Sequence, residues 1–192
     1  MYRALTWLAL QEGLDFENES SIVALSEQTL LQIVPSTPEV PQGGISVRSL
    51  ELTPFLHTAE VDAHVSLLSR VPGVRVTMVR MQRQMAADGG VVMVGRDIGT
   101  VVLPDATLKV FLDAPAEERA HRRYLEQQAA GEASLTYDDV LRDLRTRDDL
   151  DQQRATSPMR PADDAWVIDT QGKLPLEIVE SIAERLSQIE AA

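Results

Sequence analysis

The sequence has no cysteine, only two lysines and no long apolar run. The absence of cysteine excludes disulfide bonds and metal sites built from thiolates, and it is compatible with a reducing compartment. A membrane-spanning helix needs about 18–20 consecutive apolar residues, and no stretch approaches that length. The opening MYRALTWLAL is followed by acidic residues where a signal-peptide cleavage site would lie, which favours an amphipathic helix. We therefore predict a soluble, cytoplasmic protein.

Positive charge is also scarce, since 18 lysines and arginines face 30 aspartates and glutamates, for a net charge of −12. This balance argues against general binding to nucleic acid or to an anionic membrane. The positive charge that exists is concentrated, because eight arginines lie between Arg119 and Arg160. Arginine's planar fork suits bidentate binding of phosphate oxygens, so a phosphate-binding surface is one hypothesis. A solvated, charged helix face is the alternative.

Apolar patterns along the 192 residues predict one α/β domain. Helices are predicted over 2–10, 20–31 (capped by Ser20 or Ser21), 59–69, 74–87, 116–128, 137–149 (with an extension toward 154) and 176–189. Strands are predicted over 91–94, 108–112 and 166–168, with a Pro- and Gly-rich irregular or β insert from 33 to 58. Strands that alternate with helices indicate a parallel sheet, whose ligands bind beyond the carboxyl ends of the strands.

Charged residues follow one of these strands directly. Arg96 and Asp97 come just after the apolar run Val91–Val94, where a binding site is expected. A loop salt bridge, worth little if exposed, is the alternative. Downstream, Arg119, Arg122 and Arg123 are three and four residues apart and so share one helix face. In RDDLDQQR, Arg147 and Arg154 are two helical turns apart, with Asp148 and Asp151 between them.

These motifs together resemble one family. GRDIGTVVLPDA, the FLDA–EERAHRR run and RDxxDxxR, in this order and spacing, closely resemble bacterial cytidylate kinases, and MYRALTW resembles the segment after that family's phosphate loop. The resemblance covers essentially the whole chain and is weakest from Gln32 to Thr58. It implies a P-loop-type nucleoside monophosphate kinase fold with a parallel sheet. It also implies one domain over 1–192, with an acceptor-nucleotide-binding insert at about 32–69 and a lid at about 119–153.

The resemblance implies ATP-dependent phosphoryl transfer to CMP or dCMP, with Mg²⁺ accompanying ATP, no metal ligands in the chain, and a monomer whose partners are small nucleotides. Arg96 and Arg154 would be catalytic. The acceptor-nucleotide residues would be Arg3, Arg96 and Arg154 at the phosphate, Ser66, Arg75 and Asp97 at the cytosine, and Arg147 and Asp151 near the ribose and phosphate. Arg119, Arg122 and Arg123 would belong to the lid that closes on ATP. An aspartate suits cytosine because the exocyclic amine of that base is a donor, whereas uracil presents an acceptor there.

The sequence departs from the family in three respects. It contains no G-x-x-x-x-G-K-[ST] phosphate loop, because neither Lys109 nor Lys173 follows a glycine-rich turn. The family's central strand, expected between 91–94 and 108–112, has no counterpart. His57 stands where the family usually has arginine. We therefore expect a start at an internal methionine of a longer protein, and a 192-residue chain that is inactive and prone to aggregate.

Two alternatives stay open. The chain could be a non-catalytic, nucleotide-binding remnant rather than an enzyme. Within the kinases, UMP or AMP could be the acceptor, although the match at Ser66, Arg75 and Asp97 disfavours both.

Overall fold

Four helices and a small antiparallel sheet make up the first part of the chain. The computed structural model describes residues 1–34, 43–129, 136–153 and 157–191. It divides into two compact units, residues 1–91 and 92–192. The elements of the first unit are α1 (Tyr2–Gln11), α2 (Glu19–Gln28), β1 (Leu31–Val34), β2 (Gly44–Val47), β3 (Leu50–Glu51), a 3₁₀ turn (Thr53–Phe55), α3 (Ala59–Arg70) and α4 (Pro72–Met85).

The core of the first unit forms where the apolar faces of the four helices meet. Leu5 of α1, Ile22 of α2, Leu68 of α3 and Met78 of α4 are all almost completely buried. Each lies on an apolar stripe of helical period, such as Val74 and Met78, which are four residues apart on α4. These contacts hold α1 against α3 and α2 against α4.

The insert predicted between 33 and 58 is a three-stranded antiparallel sheet in the order β1-β2-β3. Strand β1 pairs with β2 so that Leu31 lies opposite Val47. The turn from β2 to β3 has two residues, Arg48 and Ser49, with φ angles of 49° and 68°. Two consecutive positive φ angles match the twist of a tight hairpin, so the β interpretation of this segment is confirmed for its described residues.

The second unit contains a two-stranded parallel sheet. Its elements are a one-turn π-helix (Ile98–Val102), β4 (Val110–Asp113), α5 (Ala116–Ala129), α6 (Tyr137–Gln152), β5 (Trp166–Asp169) and α7 (Pro175–Glu190). Strands β4 and β5 pair in parallel, with Val110 opposite Trp166. The chain passes from β4 to β5 through α5 and α6, which pack against each other. The predicted parallel sheet is confirmed for these two strands.

Two of the predicted elements are wrong in part. The helix predicted over 20–31 ends at Gln28, because Thr29 is extended and donates its hydroxyl to the Leu25 carbonyl oxygen (2.7 Å), and Leu31–Val34 pairs as a strand. Its cap is Asn18, whose side chain accepts from the Ser21 N–H, rather than Ser20 or Ser21.

The strand predicted over 91–94 is the second error. Among the described residues no strand pairs with this run, and Val92 and Val94 are each 92% exposed. β-branched residues favour an extended chain, but a strand exists only where a neighbour supplies the ladder. Val91–Val94 is therefore unpaired backbone that leads into Arg96.

Within the described ranges, no helix is long and apolar enough to cross a membrane.

Helix α6 begins with a reciprocal cap that makes its stability depend on pH. The Thr136 hydroxyl accepts from the Asp139 N–H (3.2 Å), and the Asp139 carboxylate accepts from the Thr136 hydroxyl and N–H (2.6 and 3.1 Å). Arg142 also donates to this carboxylate. The hydrogen bond from Thr136, reinforced by Arg142, lowers the pKa of Asp139 from 3.8 to about 2.

We predict that Asp139→Asn lowers the free energy of unfolding at neutral pH. Because the folded-state pKa is depressed, the stabilisation is complete well above 3.8 and is lost as pH falls toward about 2. Urea midpoints at several pH values should therefore converge for wild type and variant in that window. Asp138→Asn, in the same turn but outside the capping box, is the control. A difference that persists unchanged at pH 2 would contradict the assignment.

Candidate functional site

The loop that carries Arg96 and Asp97 is fixed by backbone contacts. The Asp97 carbonyl oxygen accepts from the N–H groups of Val101 and Val102, at 2.9 and 3.3 Å, and so closes the π-helical turn. Gly95 permits a close approach here, because a Cβ at that position would lie 2.9 Å from the Ile98 side chain. Short π turns are frequent at functional sites. The turn sets the direction in which Arg96 and the buried Asp97 leave the backbone.

Two carboxylates of α6 meet the Arg96 guanidinium. Its Nη1 donates to Asp151, whose side chain is 1% exposed, and lies 3.7 Å from the Asp148 carboxylate. Asp148 and Asp151 are three residues apart and therefore share a face of α6. Buried carboxylates need a paired charge, and Arg96 supplies it from outside the helix. Arg96 and Asp151, which the resemblance associates with the acceptor nucleotide, are thus in contact within the second unit.

The three arginines predicted for a lid contact three different groups. Arg119 donates from Nε to the Ala114 carbonyl oxygen (3.0 Å) and from Nη2 to Asp148 (2.7 Å). Arg122 donates from Nη2 to the Thr170 carbonyl oxygen (2.7 Å). Arg123 lies 3.9 Å from the Glu126 carboxylate. The shared helix face is present, yet Arg119 and Arg122 contact other elements of their own unit.

The residues predicted for the base and for one phosphate contact belong to the first unit. Arg3 of α1 donates to the Leu56 carbonyl oxygen (2.7 Å) and to Asp62 (2.5 Å). Arg75 of α4 is 3% exposed, donates to the Ser69 carbonyl oxygen (3.2 Å) and stacks its guanidinium 5.5 Å from the centre of the Tyr2 ring. Ser66 is half-buried on α3. Arg3 therefore ties α1 to α3, and Arg75 ties α4 to α1 and α3, within the first unit.

The remaining predicted residues are Arg147 and Arg154. Arg147 is half-buried on α6, four residues before Asp151 and on the same helix face. Arg154 lies outside the described residues. The nucleotide roles of all these residues stay predictions.

Two contact residues were not assigned a role from the sequence. Asp148 bridges Arg119 and Arg96, and its spacing of three from Asp151 was the available signal. Asp62 binds Arg3 across 59 residues of sequence, and no local pattern indicates such a contact.

Two further exposed carboxylates of the second unit, Glu117 and Asp164, have lowered pKa values. The pKa of Glu117 is lowered by a hydrogen bond from its own backbone and then by Arg145 of α6. The pKa of Asp164 is lowered by a hydrogen bond from Lys109. Both shifts keep surface carboxylates ionised.

We predict that Arg122 stabilises the fold through Thr170. The Thr170 hydroxyl and N–H both donate to the Asp113 carbonyl oxygen at the end of β4, so Arg122 ties α5 to the ends of both strands. Arg122→Met keeps the apolar stem and removes the donors, and should lower the free energy of unfolding by about 1–2 kcal/mol, because the carbonyl and hydroxyl oxygens of Thr170 both lose a charged donor from α5. Urea denaturation measures this. Arg160→Met, at an exposed ion pair, should change little. Equal stability of the two variants would leave Arg122 as a lid residue.

Known proteins similar to this chain agree on one family. A family model described as cytidylate kinase matches residues 1–188. A cytidylate kinase of Desulfitobacterium hafniense is 44% identical over 182 residues, which are 95% of this chain and 76% of that protein. Cytidylate kinases of Limosilactobacillus fermentum and Bacillus pumilus are 38% and 41% identical, over 98% and 99% of this chain and 81% and 83% of those proteins. The chain belongs to the cytidylate kinase family.

Proposed function

We propose that this protein is a kinase that transfers a phosphoryl group from ATP to CMP or dCMP. The observation that carries the proposal is the Arg96-Asp97 pair on its fixed turn, in a chain that the cytidylate kinase model matches over residues 1–188. Arg96 is permanently charged and Asp97, the next residue, is buried. Each would bind a different part of a nucleoside monophosphate.

Arg96 would bind the acceptor phosphate. Phosphoryl transfer needs little covalent help from protein but requires in-line positioning and positive charge around the moving group. The Arg96 side chain is 30% exposed, and its Nη1 contacts carboxylate oxygens, the same class of acceptor that a phosphate presents. An acceptor phosphate would take the place of the Asp151 carboxylate on this guanidinium, with Arg3 and Arg154 as further phosphate contacts.

Asp97 would select the base. A carboxylate accepts a hydrogen bond from the cytosine amine but meets an acceptor on uracil, so it favours CMP over UMP. Because the π turn holds the Asp97 backbone, the carboxylate is preorganised for that contact. By the family resemblance, Ser66 and Arg75 would also read the base, and Arg147 and Asp151 would lie near the ribose and phosphate.

Magnesium would enter with the ATP phosphates. Among the described residues, no three histidine or acidic side chains cluster so as to hold a metal ion, and we assign none to it. Bound to the phosphates, magnesium neutralises charge on the donor. The chain's own contribution is the arginine charge that positions the acceptor.

A second candidate, nucleotide binding without catalysis, is favoured by one observation. The 192 residues contain no glycine-rich phosphate loop with its lysine. We propose that turnover requires such a loop from outside these residues. The comparisons give no support to inactivity, since the family model covers nearly the whole chain.

The function is tested by assaying CMP phosphorylation with ATP and magnesium. The chain should be compared with the same chain extended at its amino end by a strand, a phosphate loop and a helix. We expect turnover by the extended chain, and in it Arg96→Lys should reduce kcat/KM by about a hundredfold, because the charge stays but the bidentate fork is lost. Arg145→Lys, at an exposed ion pair, is the control.

Three outcomes would contradict parts of the proposal. No CMP phosphorylation by the extended chain would favour the non-catalytic candidate. Turnover by the 192-residue chain alone would show that no further loop is needed. Normal kinetics for Arg96→Lys would leave Arg96 as a loop salt bridge.

We predict that Asp97→Ala narrows the preference for CMP over UMP. The transition-state stabilisation for CMP, calculated from kcat/KM, should fall by about 1–3 kcal/mol, which is typical of one good base contact. The corresponding value for UMP should change much less. The ratio of kcat/KM for the two acceptors measures this directly. Asp105→Ala, which removes an exposed aspartate of the same loop region, should leave the ratio unchanged. An unchanged ratio in Asp97→Ala would remove Asp97 from base selection.

A further inference from the structure

One buried carboxylate lies between two arginines that come from different elements. The Asp148 Oδ2 accepts from Arg119 Nη2 at 2.7 Å, whereas its Oδ1 lies 3.7 Å from Arg96 Nη1. Asp148 is buried, with 9% of its surface exposed. The strong hydrogen bond thus goes to Arg119, and Arg96 is held by this carboxylate only at longer range.

Arg119 itself is anchored on two sides. Its Nε donates to the Ala114 carbonyl oxygen (3.0 Å), where the chain passes from β4 to α5. Its Nη2 donates to Asp148. Because Nε and Nη2 form one edge of the planar guanidinium, that bidentate edge is already occupied by protein acceptors. Arg119 is therefore better placed to hold Asp148 than to grip a nucleotide phosphate by this edge.

The charges of the cluster explain why a second arginine is needed. Arg96 contacts two carboxylates, Asp148 and Asp151. With Arg96 alone, the local charge would be negative, and an incoming phosphate would be repelled. Arg119 adds the second positive charge, so two arginines face two aspartates and the cluster is neutral. Because Arg119 donates to one oxygen of Asp148, that carboxylate is also kept from turning toward Arg96 and accepting a close hydrogen bond from it.

We propose that Arg119 is a positioning residue that keeps Arg96 available for the acceptor phosphate. Arg119 binds and neutralises Asp148, which would otherwise compete with the phosphate for Arg96. Arg96 then has one close carboxylate partner, Asp151, to exchange for phosphate. The inference rests on the proposed function, because it assumes that Arg96 meets the phosphate of CMP.

The proposal predicts an effect on acceptor binding that is reversed by a second mutation. In Arg119→Gln, Asp148 is released to pair with Arg96, so the Kd for CMP, measured by isothermal titration calorimetry, should rise about tenfold, the usual effect of one charged hydrogen bond. In Arg119→Gln/Asp148→Asn the competing charge is gone, and the Kd should return to within about threefold of wild type. Arg119→Lys, which retains the charge, should fall between wild type and Arg119→Gln.

A matched control and a folding check separate positioning from general damage. Arg145→Gln removes one arginine from another ion pair between α6 and α5, with Glu117, and should not change the Kd for CMP. Thermal unfolding followed by circular dichroism verifies that each variant is folded. If Arg119→Gln is unfolded, two other variants provide the test. Arg119→Lys should bind CMP more weakly than wild type, and Asp148→Asn should retain the wild-type affinity for CMP.

The outcomes distinguish this inference from the proposed function. Failure of the unmutated protein to bind CMP or dCMP would contradict the proposed function before any variant is considered. Binding by the unmutated protein with unchanged affinity in Arg119→Gln would overturn the inference alone and return Arg119 to a lid role. A double variant as weak as Arg119→Gln would also overturn it, because Asp148 would then not mediate the effect.

Discussion

The second unit depends on the pairing of buried carboxylates of α6 with arginines that come from elsewhere in the unit. Asp151 is 1% exposed and Asp148 9%, and a buried carboxylate without a partner would cost several kcal/mol. Arg96 reaches them from the loop before the π turn, and Arg119 reaches Asp148 from α5. One cluster of charges therefore joins three segments that are far apart in sequence. Removing Arg119 takes from Asp148 its close hydrogen-bond donor.

The same constraint accounts for the use of arginine rather than lysine. Arg119 binds a carbonyl oxygen and a carboxylate with one planar group, and Arg122 similarly binds Thr170 and Glu118. In the first unit, Arg3 binds the Leu56 carbonyl oxygen together with Asp62. A guanidinium keeps its charge when partly buried and satisfies several acceptors in fixed geometry, whereas an ammonium does neither as well. Any ligand that binds such an arginine must replace protein acceptors, so its binding free energy is the difference between the two sets of contacts.

Much of the helical structure was predictable from local pattern. α5, α6 and α7 lie within two or three residues of their predicted limits, because amphipathic period, capping residues and glycine breaks act over a few residues. The strands were less predictable. Val91–Val94 has the composition of a buried strand but no partner among the described residues, and Leu31, at the end of the helix predicted over 20–31, pairs with Val47 of β2. A strand is defined by its neighbour, which local composition does not identify.

By itself, the sequence determined the α/β class, the limits of α5, α6 and α7 to within three residues, and the family resemblance that singles out Arg96 and Asp97. The shared helix faces of Arg119 and Arg122 and of Asp148 and Asp151 follow from residue spacing alone. Only the tertiary structure decided which arginine binds which acceptor. Arg122 meets Thr170, 48 residues away, and Arg119 meets Asp148, 29 residues away. Those pairings depend on how β4, α5, α6 and β5 pack, and long-range packing is a property of the whole unit rather than of any short pattern.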